Sequence, residues 1–342
     1  MDIQSLRGMP DLFPEDLEKW HILEKTLSKV FLSCGTKEIR TPLLESTELF
    51  NRSVGNSSDI VNKELYSFLD RNDKSISLRP EGTASVIRSI IEKKLDQSTH
   101  KLWYMGPMWR YERPQKGRYR QFYQAGVEIL GYPEGAPEFE MISLVCSIVE
   151  EFNITDCTIK INHLGSQENK KAYCDALIKF LEPHKGNLDE KDLERLSRNP
   201  LRVLDSKNKD TQSILKGAPS LKEFLEPKSI QLLEAIRLEF LDICKIEIDY
   251  TLVRGLDYYS GFVFEALSSN LGAQDSFLGG GRYDDLCSKL GGKDLPSIGM
   301  AVGIERFASL IDGISPSDKI LSFITLGSTL EPKTYKIAHR LR

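Results

Sequence analysis

Residues 108–131 concentrate side chains that could bind a polar ligand. The pattern predicts a strand over residues 101–109, a basic loop over 112–121 and a second strand after it. Side chains alternate between the two faces of a strand, so Gln124 and Glu128 share one face, with a glycine between them. These groups could form the floor of a small pocket, and the loop could bind phosphates. The alternative is a solvent-exposed hairpin with a charged tip.

Two further segments place a charged residue where a predicted strand gives way to a helix. Glu81 lies in the sequence RPEGT, ahead of a helix predicted over residues 84–95. Thr83 could cap that helix, and loops at such junctions often carry ligand-binding groups. Arg306 follows the predicted buried strand Ser297–Gly303 and opens a helix, whose start favours anions. Taken singly, each pattern is also common in ordinary turns.

Arg254 precedes a glycine and the pair Tyr258 and Tyr259. Three glycines, at positions 279–281, stand near the end of a later predicted strand. Glycine has no Cβ, so a ligand or another backbone can approach closely at such a place.

The composition narrows the classes of protein that the chain can be. Its 342 residues, 40% hydrophobic and 28% charged, are typical of a globular protein with a large core and more than one structural unit. No apolar run reaches the roughly 18 residues of a membrane span, and the first residues do not resemble a signal peptide. We therefore expect a cytoplasmic protein that does not enter a membrane.

Cysteines and histidines are scattered along the chain. The six cysteines form no Cys-x-x-Cys pair and the five histidines are equally dispersed. We therefore expect reduced thiols and no metal site built from protein side chains. The net charge of −4 argues against nonspecific binding of polyanions, although a local basic patch could still bind one nucleic acid.

Hydrophobic periodicity predicts the elements that position these residues. Pro14–Ser33 fits an amphipathic helix with proline at its first position. Residues 36–42 are extended and end in proline, which confines such a strand to an edge. This helix and strand could form a dimer surface or pack against their own domain. Residues 166–241 predict an inserted helical subdomain, whose charges are either solvated or grip a partner.

Together these segments resemble the class II aminoacyl-tRNA synthetases and, within them, the histidyl-tRNA synthetases. IRTPLLESTELF is similar to the dimer-forming first motif of the class, residues 108–131 to the second and GMAVGIERF to the third. RPEGT, QAGVE, LVRGLDYYSG and GGGRYDDL are similar to segments peculiar to the histidine enzymes. The resemblance covers almost all of residues 1–326, and LVRGLDYYSG is its most specific part.

The resemblance implies an α+β fold and an obligate homodimer. A mainly antiparallel sheet of six or seven strands would be flanked by helices. The catalytic domain would comprise residues 1–165 and 244–315, with a helical subdomain inserted over 166–243. Residues 320–342 would then be the truncated start of an anticodon-binding domain, with a strand over 320–326 and a helix over 331–342.

The resemblance also implies a two-step reaction. Histidine and ATP give histidyl-adenylate and pyrophosphate, and the histidyl group then passes to the 3′ end of tRNA(His). Arg110, Arg254 and Arg306 would be the catalytic residues. Arg110 would hold the histidine carboxylate against the α-phosphate, and Arg254 would lie across that phosphate, where related enzymes place a metal ion. Arg306 would contact the γ-phosphate.

The ATP-binding residues implied are Arg110, Glu112, Arg118, Arg120, Phe122 and Arg306. Phe122 and Arg306 would cover opposite faces of the adenine, and Glu112 would accept from its amino group. Arg118 and Arg120 would serve phosphates and then the acceptor end of the tRNA. Mg²⁺ would accompany ATP, held by phosphate and water oxygens rather than by assigned protein ligands.

The histidine-binding residues implied are Glu81, Gly82, Thr83, Arg110, Gln124, Glu128, Arg254, Tyr258 and Tyr259. Glu81, Thr83 and Gln124 would satisfy the α-ammonium group. Glu128 and Tyr259 would bind the imidazole, with Tyr258 lining the pocket. A site that bonds both ring nitrogens rejects analogues that lack them by about 10⁴–10⁵, so no editing domain is required.

Two noncatalytic alternatives share the expected fold. One is the synthetase-like regulatory subunit of ATP phosphoribosyltransferase, which lacks the anticodon domain, and the other is a synthetase-like RNA-binding or scaffolding module. Neither has a reason to keep Arg110, Arg254 and Arg306 together. The arginine set therefore favours the ligase.

Overall fold

An eight-stranded sheet forms the centre of the described chain. A computed structural model of the protein describes residues 3–311, except 56, 57, 59, 116, 273 and 274. The elements expected over 320–342 lie outside the described residues. Eleven strands occur within the described ranges: β1 Lys37–Glu38, β2 Leu44–Ser46, β3 Ser67–Leu69, β4 Ser75–Leu78, β5 His100–Trp109, β6 Gln121–Leu130, β7 Cys157–His163, β8 Lys245–Ile248, β9 Phe262–Ser268, β10 Ser276–Arg282 and β11 Ser297–Gly303.

The order of the large sheet is β1-β5-β6-β11-β10-β9-β7-β8, and β2-β4-β3 form a second, smaller sheet. Neighbours in the large sheet are antiparallel except at its two edges, where β1 pairs with β5 and β8 with β7 in parallel. The expected α+β class with a mainly antiparallel sheet is confirmed. The expected count of six or seven strands was too low, because these two short edge strands extend the antiparallel core.

Ten α-helices flank the sheets in the described part of the chain: α1 Pro14–Ser33, α2 Thr47–Val54, α3 Thr83–Glu92, α4 Ala136–Glu151, α5 Gln167–Leu181, α6 Glu190–Arg198, α7 Lys209–Leu215, α8 Pro227–Glu239, α9 Leu286–Lys289 and α10 Ile304–Ala308. The bounds predicted for α1 are confirmed, with proline at the first position. Helices α5 to α8 fill the region expected to be helical, and the domain boundaries there remain a prediction. No helix of the described ranges is long and apolar enough to cross a membrane.

Strands β5 and β6 form the hairpin expected from the sequence. They pair antiparallel, and Tyr104 lies opposite Gly126. On one face of β6, the Tyr123 ring packs edge-on against Trp20 of α1, with ring centroids 4.7 Å apart. Gln124 is adjacent to Tyr123 and therefore faces the other side of the sheet. The alternation seen in the sequence thus separates a packing face from a polar face.

A buried ion pair joins β10 to α4. The side chains of Arg282 and Glu138 are 2% and 0% exposed, and Arg282 Nη2 lies 2.5 Å from Glu138 Oε1. Glu138 Oε2 also accepts a hydrogen bond from the Gly135 backbone N–H at 2.6 Å, at the start of α4. Because both charges are out of water, removing one partner leaves the other poorly compensated.

We expect Glu138→Ala to lower the free energy of unfolding by about 3 kcal/mol, because it removes the buried partner of Arg282 and leaves only the half-exposed Asp284, whose Oδ1 lies 2.9 Å from Arg282 Nη1. Glu151→Ala is the matched control. It removes an exposed ion pair of 3.0 Å with Lys29 and should cost less than about 1 kcal/mol. Urea unfolding followed by circular dichroism measures both values. Equal losses in the two variants would contradict the assignment.

Candidate active site

A cavity of about 390 Å³ opens on the polar face of the central sheet. Its walls include Gln124 of β6, Gly279 of β10 and Met300 of β11. The three arginines singled out in the sequence, from three distant segments, also line it. The volume is within the usual range for a small-molecule site.

Arg110 is held at the base of the hairpin loop. Its Nε donates to the Pro80 carbonyl oxygen at 2.9 Å, and its guanidinium carbon lies 5.3 Å from the centroid of the Phe122 ring. A guanidinium over an aromatic face is a favourable cation–π arrangement. Both side chains line the cavity, so the pair fixes a planar cation at its wall.

Arg254 is anchored from the opposite side of the cavity. Its Nη1 donates to Glu265 Oε1 on β9 at 2.5 Å, and the side chain is 20% exposed. A Cβ at Gly279 would overlap this guanidinium. Burial lowers the pKa of Arg254, but Glu265 and Tyr259 more than offset this effect, so the pKa stands above its ordinary value. Arg254 therefore keeps its charge.

Arg306, on α10, connects the hairpin loop with β10. Its Nε donates to the Gly117 carbonyl oxygen at 3.3 Å and its Nη1 to the Ser276 carbonyl oxygen at 2.8 Å. The preceding residue, Glu305, accepts from the Tyr123 backbone N–H through both carboxylate oxygens, at 2.9 and 3.1 Å. Burial raises the pKa of Glu305 to about 7. These contacts set the start of α10 against β6.

Glu81 lies at the start of α3 and corrects the expectation for Thr83. The Glu81 carboxylate accepts from the backbone N–H groups of Thr83 and Ala84, at 2.7 and 2.9 Å. The helix begins at Thr83. The residue before it is Gly82, which has no side chain that could cap the helix. Thr83 is thus not the cap, because it already belongs to the helix and its hydroxyl donates to Glu128. Burial raises the pKa of Glu81.

Glu128 lies directly behind the cavity wall and is fully buried. Its Oε1 accepts from the Thr83 hydroxyl at 2.7 Å, and its Oε2 accepts from the Tyr283 hydroxyl. A Cβ at Gly299 would overlap Oε2. Burial raises the pKa of Glu128 to about 8, although both hydrogen bonds act in the opposite direction. Burial therefore favours the protonated form of this carboxyl group.

The structure brings most of the expected site residues to the cavity. Those that line it are Glu81, Thr83, Arg110, Glu112, Arg118, Phe122, Gln124, Arg254, Tyr258, Tyr259 and Arg306. Tyr258 and Tyr259 are buried, with ring centroids 4.7 Å apart. Arg118 Nη1 pairs with Glu112 Oε2 at 3.0 Å, so these two side chains lie together at the loop.

Three expected site residues do not line the cavity in this structure: Gly82, Arg120 and Glu128. The Arg120 guanidinium stacks on the Tyr111 ring, 3.7 Å from its centroid, and its Nε donates to the Glu112 carbonyl oxygen at 3.2 Å. Gly82 is covered by the Tyr104 ring, which a Cβ there would overlap. Their assigned roles stay predictions.

Several lining residues were missed in the sequence. Tyr104 shares a face with the glycine opposite it on β6, and that alternation was a signal that could have found it. Glu265 carries no local signal. Asp205 and Lys207 reach the cavity from the helical segment expected to be a separate subdomain, and only the folded chain places them there.

The cavity does not offer a ready protein-built metal site. Among the described residues, no three histidine, cysteine or carboxylate side chains cluster in a way that could hold a metal ion. The Glu265 carboxylate is already paired with Arg254.

Comparisons with known proteins agree with this geometry. The histidyl-tRNA synthetase family model matches residues 8–307. A histidine–tRNA ligase from Francisella philomiragia is 46% identical over 312 residues, which are 90% of this chain and 73% of the relative. The structure of apo S. aureus histidyl-tRNA synthetase superposes with a TM-score of 0.80 at 34% identity, covering 100% of this chain and 83% of that one.

A Bacillus halodurans structure described as an ATP phosphoribosyltransferase regulatory subunit/histidyl-tRNA synthetase has a TM-score of 0.67. At 23% identity, with 92% of this chain and 84% of that chain covered, it shows the fold alone. The much higher identity to named ligases therefore favours the ligase over the regulatory subunit.

The fold and the converging arginines define a catalytic unit of the class II aminoacyl-tRNA synthetases. Within that class the chain belongs to the histidyl-tRNA synthetase family, and it is an aminoacyl-tRNA ligase, the histidine–tRNA ligase.

The contact between β11 and Glu128 predicts a strong effect of one methyl group. Gly299→Ala should lower the free energy of unfolding by about 2 kcal/mol or more, because Glu128 must leave its partners or strain the sheet. Gly303→Ala, on the same strand, is the control, since an added Cβ there meets no atom within 4 Å. Its effect should stay within about 0.5 kcal/mol. Chemical denaturation measures the free energy of unfolding of both variants. A Gly299→Ala variant as stable as the wild type would refute the prediction.

Proposed function

We propose that this cavity forms histidyl-adenylate from histidine and ATP and then transfers the histidyl group to tRNA(His). The observation that carries the proposal is the convergence of Arg110, Arg254 and Arg306 on one cavity whose floor holds buried carboxyl groups. The positive charges of the arginines complement the negative charges of a triphosphate. The buried polar groups can form hydrogen bonds with a small polar amino acid. Membership of the histidyl-tRNA synthetase family supports histidine as that amino acid.

The first step needs positioning and charge neutralisation rather than a covalent enzyme intermediate. A carboxylate oxygen of histidine attacks the α-phosphorus, and the bond to the pyrophosphate oxygen breaks. Arg110 is proposed to hold the carboxylate and the α-phosphate together, since a planar guanidinium can bond both. Arg254, held rigid by Glu265, would face the charge that grows on the α-phosphate.

The ATP end of the site is assigned to the hairpin loop and α10. Arg306 would contact the γ-phosphate and cover the adenine, with Phe122 on its other face. Glu112 would accept from the adenine amino group, and Arg118 would reach the phosphates. Mg²⁺ enters as part of the substrate, bound to ATP. Arg120, which stacks on Tyr111 in this structure, is proposed to serve the tRNA acceptor end.

The histidine end of the site is assigned to α3, β6 and the two adjacent tyrosines. Tyr259 would bond the imidazole, and Glu128 would be its second partner from just behind Thr83 and Gly299. A protonated carboxyl group can donate one hydrogen bond as well as accept others. It could therefore bond the unprotonated ring nitrogen of a neutral imidazole.

A homodimer is also proposed, on the side of the small sheet. Leu43, Leu44, Phe68 and Leu69 are 43%, 43%, 48% and 63% exposed and lie on or beside β2 and β3. Adjacent exposed apolar side chains mark interaction surfaces. Leu43 and Leu44 lie within the segment expected to form the dimer, and β3 belongs to the same small sheet. The cytoplasm stays the expected location.

Pyrophosphate exchange tests the reaction. Labelled pyrophosphate should enter ATP when histidine is present and not when another amino acid replaces it, because adenylate formation is reversible and depends on the cognate substrate. Exchange without histidine, or equal exchange with phenylalanine or asparagine, would rule out the proposed specificity. An inactive but folded protein would rule out the proposed catalysis.

The position of Arg254 predicts a selective kinetic defect. Arg254→Met should lower the turnover number of exchange by about 10²–10³, as expected for loss of a group that stabilises transition-state charge. The dissociation constant for histidine should change much less. Arg237→Met, which removes an ion pair of 2.7 Å with Glu234 on α8, is the control. A large loss of histidine affinity with unchanged turnover would contradict the role.

A further inference from the structure

Two buried polar atoms at the floor of the cavity have no hydrogen-bond partner in the described part of the chain. They are the hydroxyl of Tyr104 and Oε1 of Gln124, and both side chains line the cavity. Tyr104 is only 3% exposed. Buried hydroxyl and amide groups normally form hydrogen bonds, so two unpartnered atoms in the lining of one cavity need an explanation.

The Tyr104 ring is fixed in place by backbone. It lies opposite Gly126 on the paired strand, and Gln124 is two residues further along the same face. A Cβ at Gly126 would lie 2.5 Å from the hydroxyl, and one at Gly82 would lie 2.8 Å from it. The hydroxyl thus sits between β6 and the start of α3, and it cannot turn away to find another partner without moving the ring.

Two of the groups expected to bind the α-ammonium already make hydrogen bonds within the protein. Both oxygens of Glu81 accept from backbone N–H groups of α3, and the Thr83 hydroxyl donates to Glu128. An ammonium group brings three N–H donors. The Tyr104 hydroxyl and Gln124 Oε1 add two unpartnered acceptors to this floor, and the Tyr104 hydroxyl is influenced by the neighbouring Glu128, Glu81 and Thr83 side chains.

We propose that Tyr104 is a further substrate-binding residue, whose hydroxyl oxygen accepts a hydrogen bond from the α-ammonium of histidine beside Gln124 Oε1. The proposal rests on the proposed function of the cavity and extends it. It assigns a role in binding to a side chain that otherwise would only fill the space left by two glycines.

The test is Tyr104→Phe, which keeps the ring and removes the oxygen. Calorimetric binding is measured for three ligands: histidine, histidinol, which keeps the ammonium and the imidazole, and 3-(imidazol-4-yl)propionate, which lacks the ammonium. Affinity for the first two should fall about tenfold or more, as for loss of a hydrogen bond to a charged group. Affinity for the third should not change. Tyr173→Phe, a buried tyrosine of α5, is the control.

A stability measurement separates this role from packing. The unpartnered hydroxyl adds nothing to the folded state without substrate, so Tyr104→Phe should unfold at the same temperature as the wild type or higher. Unchanged histidine affinity would overturn the proposal, and so would an equal loss for all three ligands. If the wild-type protein itself does not bind histidine, the proposed function fails, and that result is distinct from a failure of Tyr104.

Discussion

Burial of two carboxyl groups beneath one pocket is the constraint on which the rest of the site depends. A carboxyl group taken out of water loses solvation that only close partners can replace. Glu81 obtains these partners from the first N–H groups of α3, and Glu128 obtains them from Thr83 and Tyr283. The start of α3, β6 and the end of β10 must therefore meet at one point.

Glycines make this meeting possible. Gly299 leaves the space that Glu128 occupies, and Gly82 and Gly126 enclose the Tyr104 ring from two sides. A side chain at any of these positions would overlap a group of the pocket floor. These glycines matter for the space they leave and not for backbone freedom, since Gly82, Gly126 and Gly299 do not adopt a left-handed backbone conformation.

The arginines show the complementary arrangement at the other end of the cavity. Each is held by acceptors on a different element: Arg110 by the Pro80 carbonyl, Arg254 by Glu265, and Arg306 by two carbonyls. A cation fixed in this way loses little freedom when a phosphate binds, and its orientation need not change during the reaction. The polar floor and the cationic wall then divide one cavity between an amino acid and a nucleotide.

The sequence by itself determined the central hairpin, the long first helix, the polar face of β6 and the cluster of arginine, glutamate and tyrosine side chains expected at the site. These follow from local periodicity and from motifs whose spacing is short, such as Gln124 and Glu128 on one strand. Tertiary structure alone decided which acceptors hold each charge and which residues reach the cavity from afar. Lys207 is distant from the motifs in the chain, and the pairing of Glu265 with Arg254 joins two segments only in the folded protein. Thr83 does not cap α3, because it is already helical and its hydroxyl donates to Glu128. Such choices depend on three-dimensional packing between segments, which no local pattern encodes.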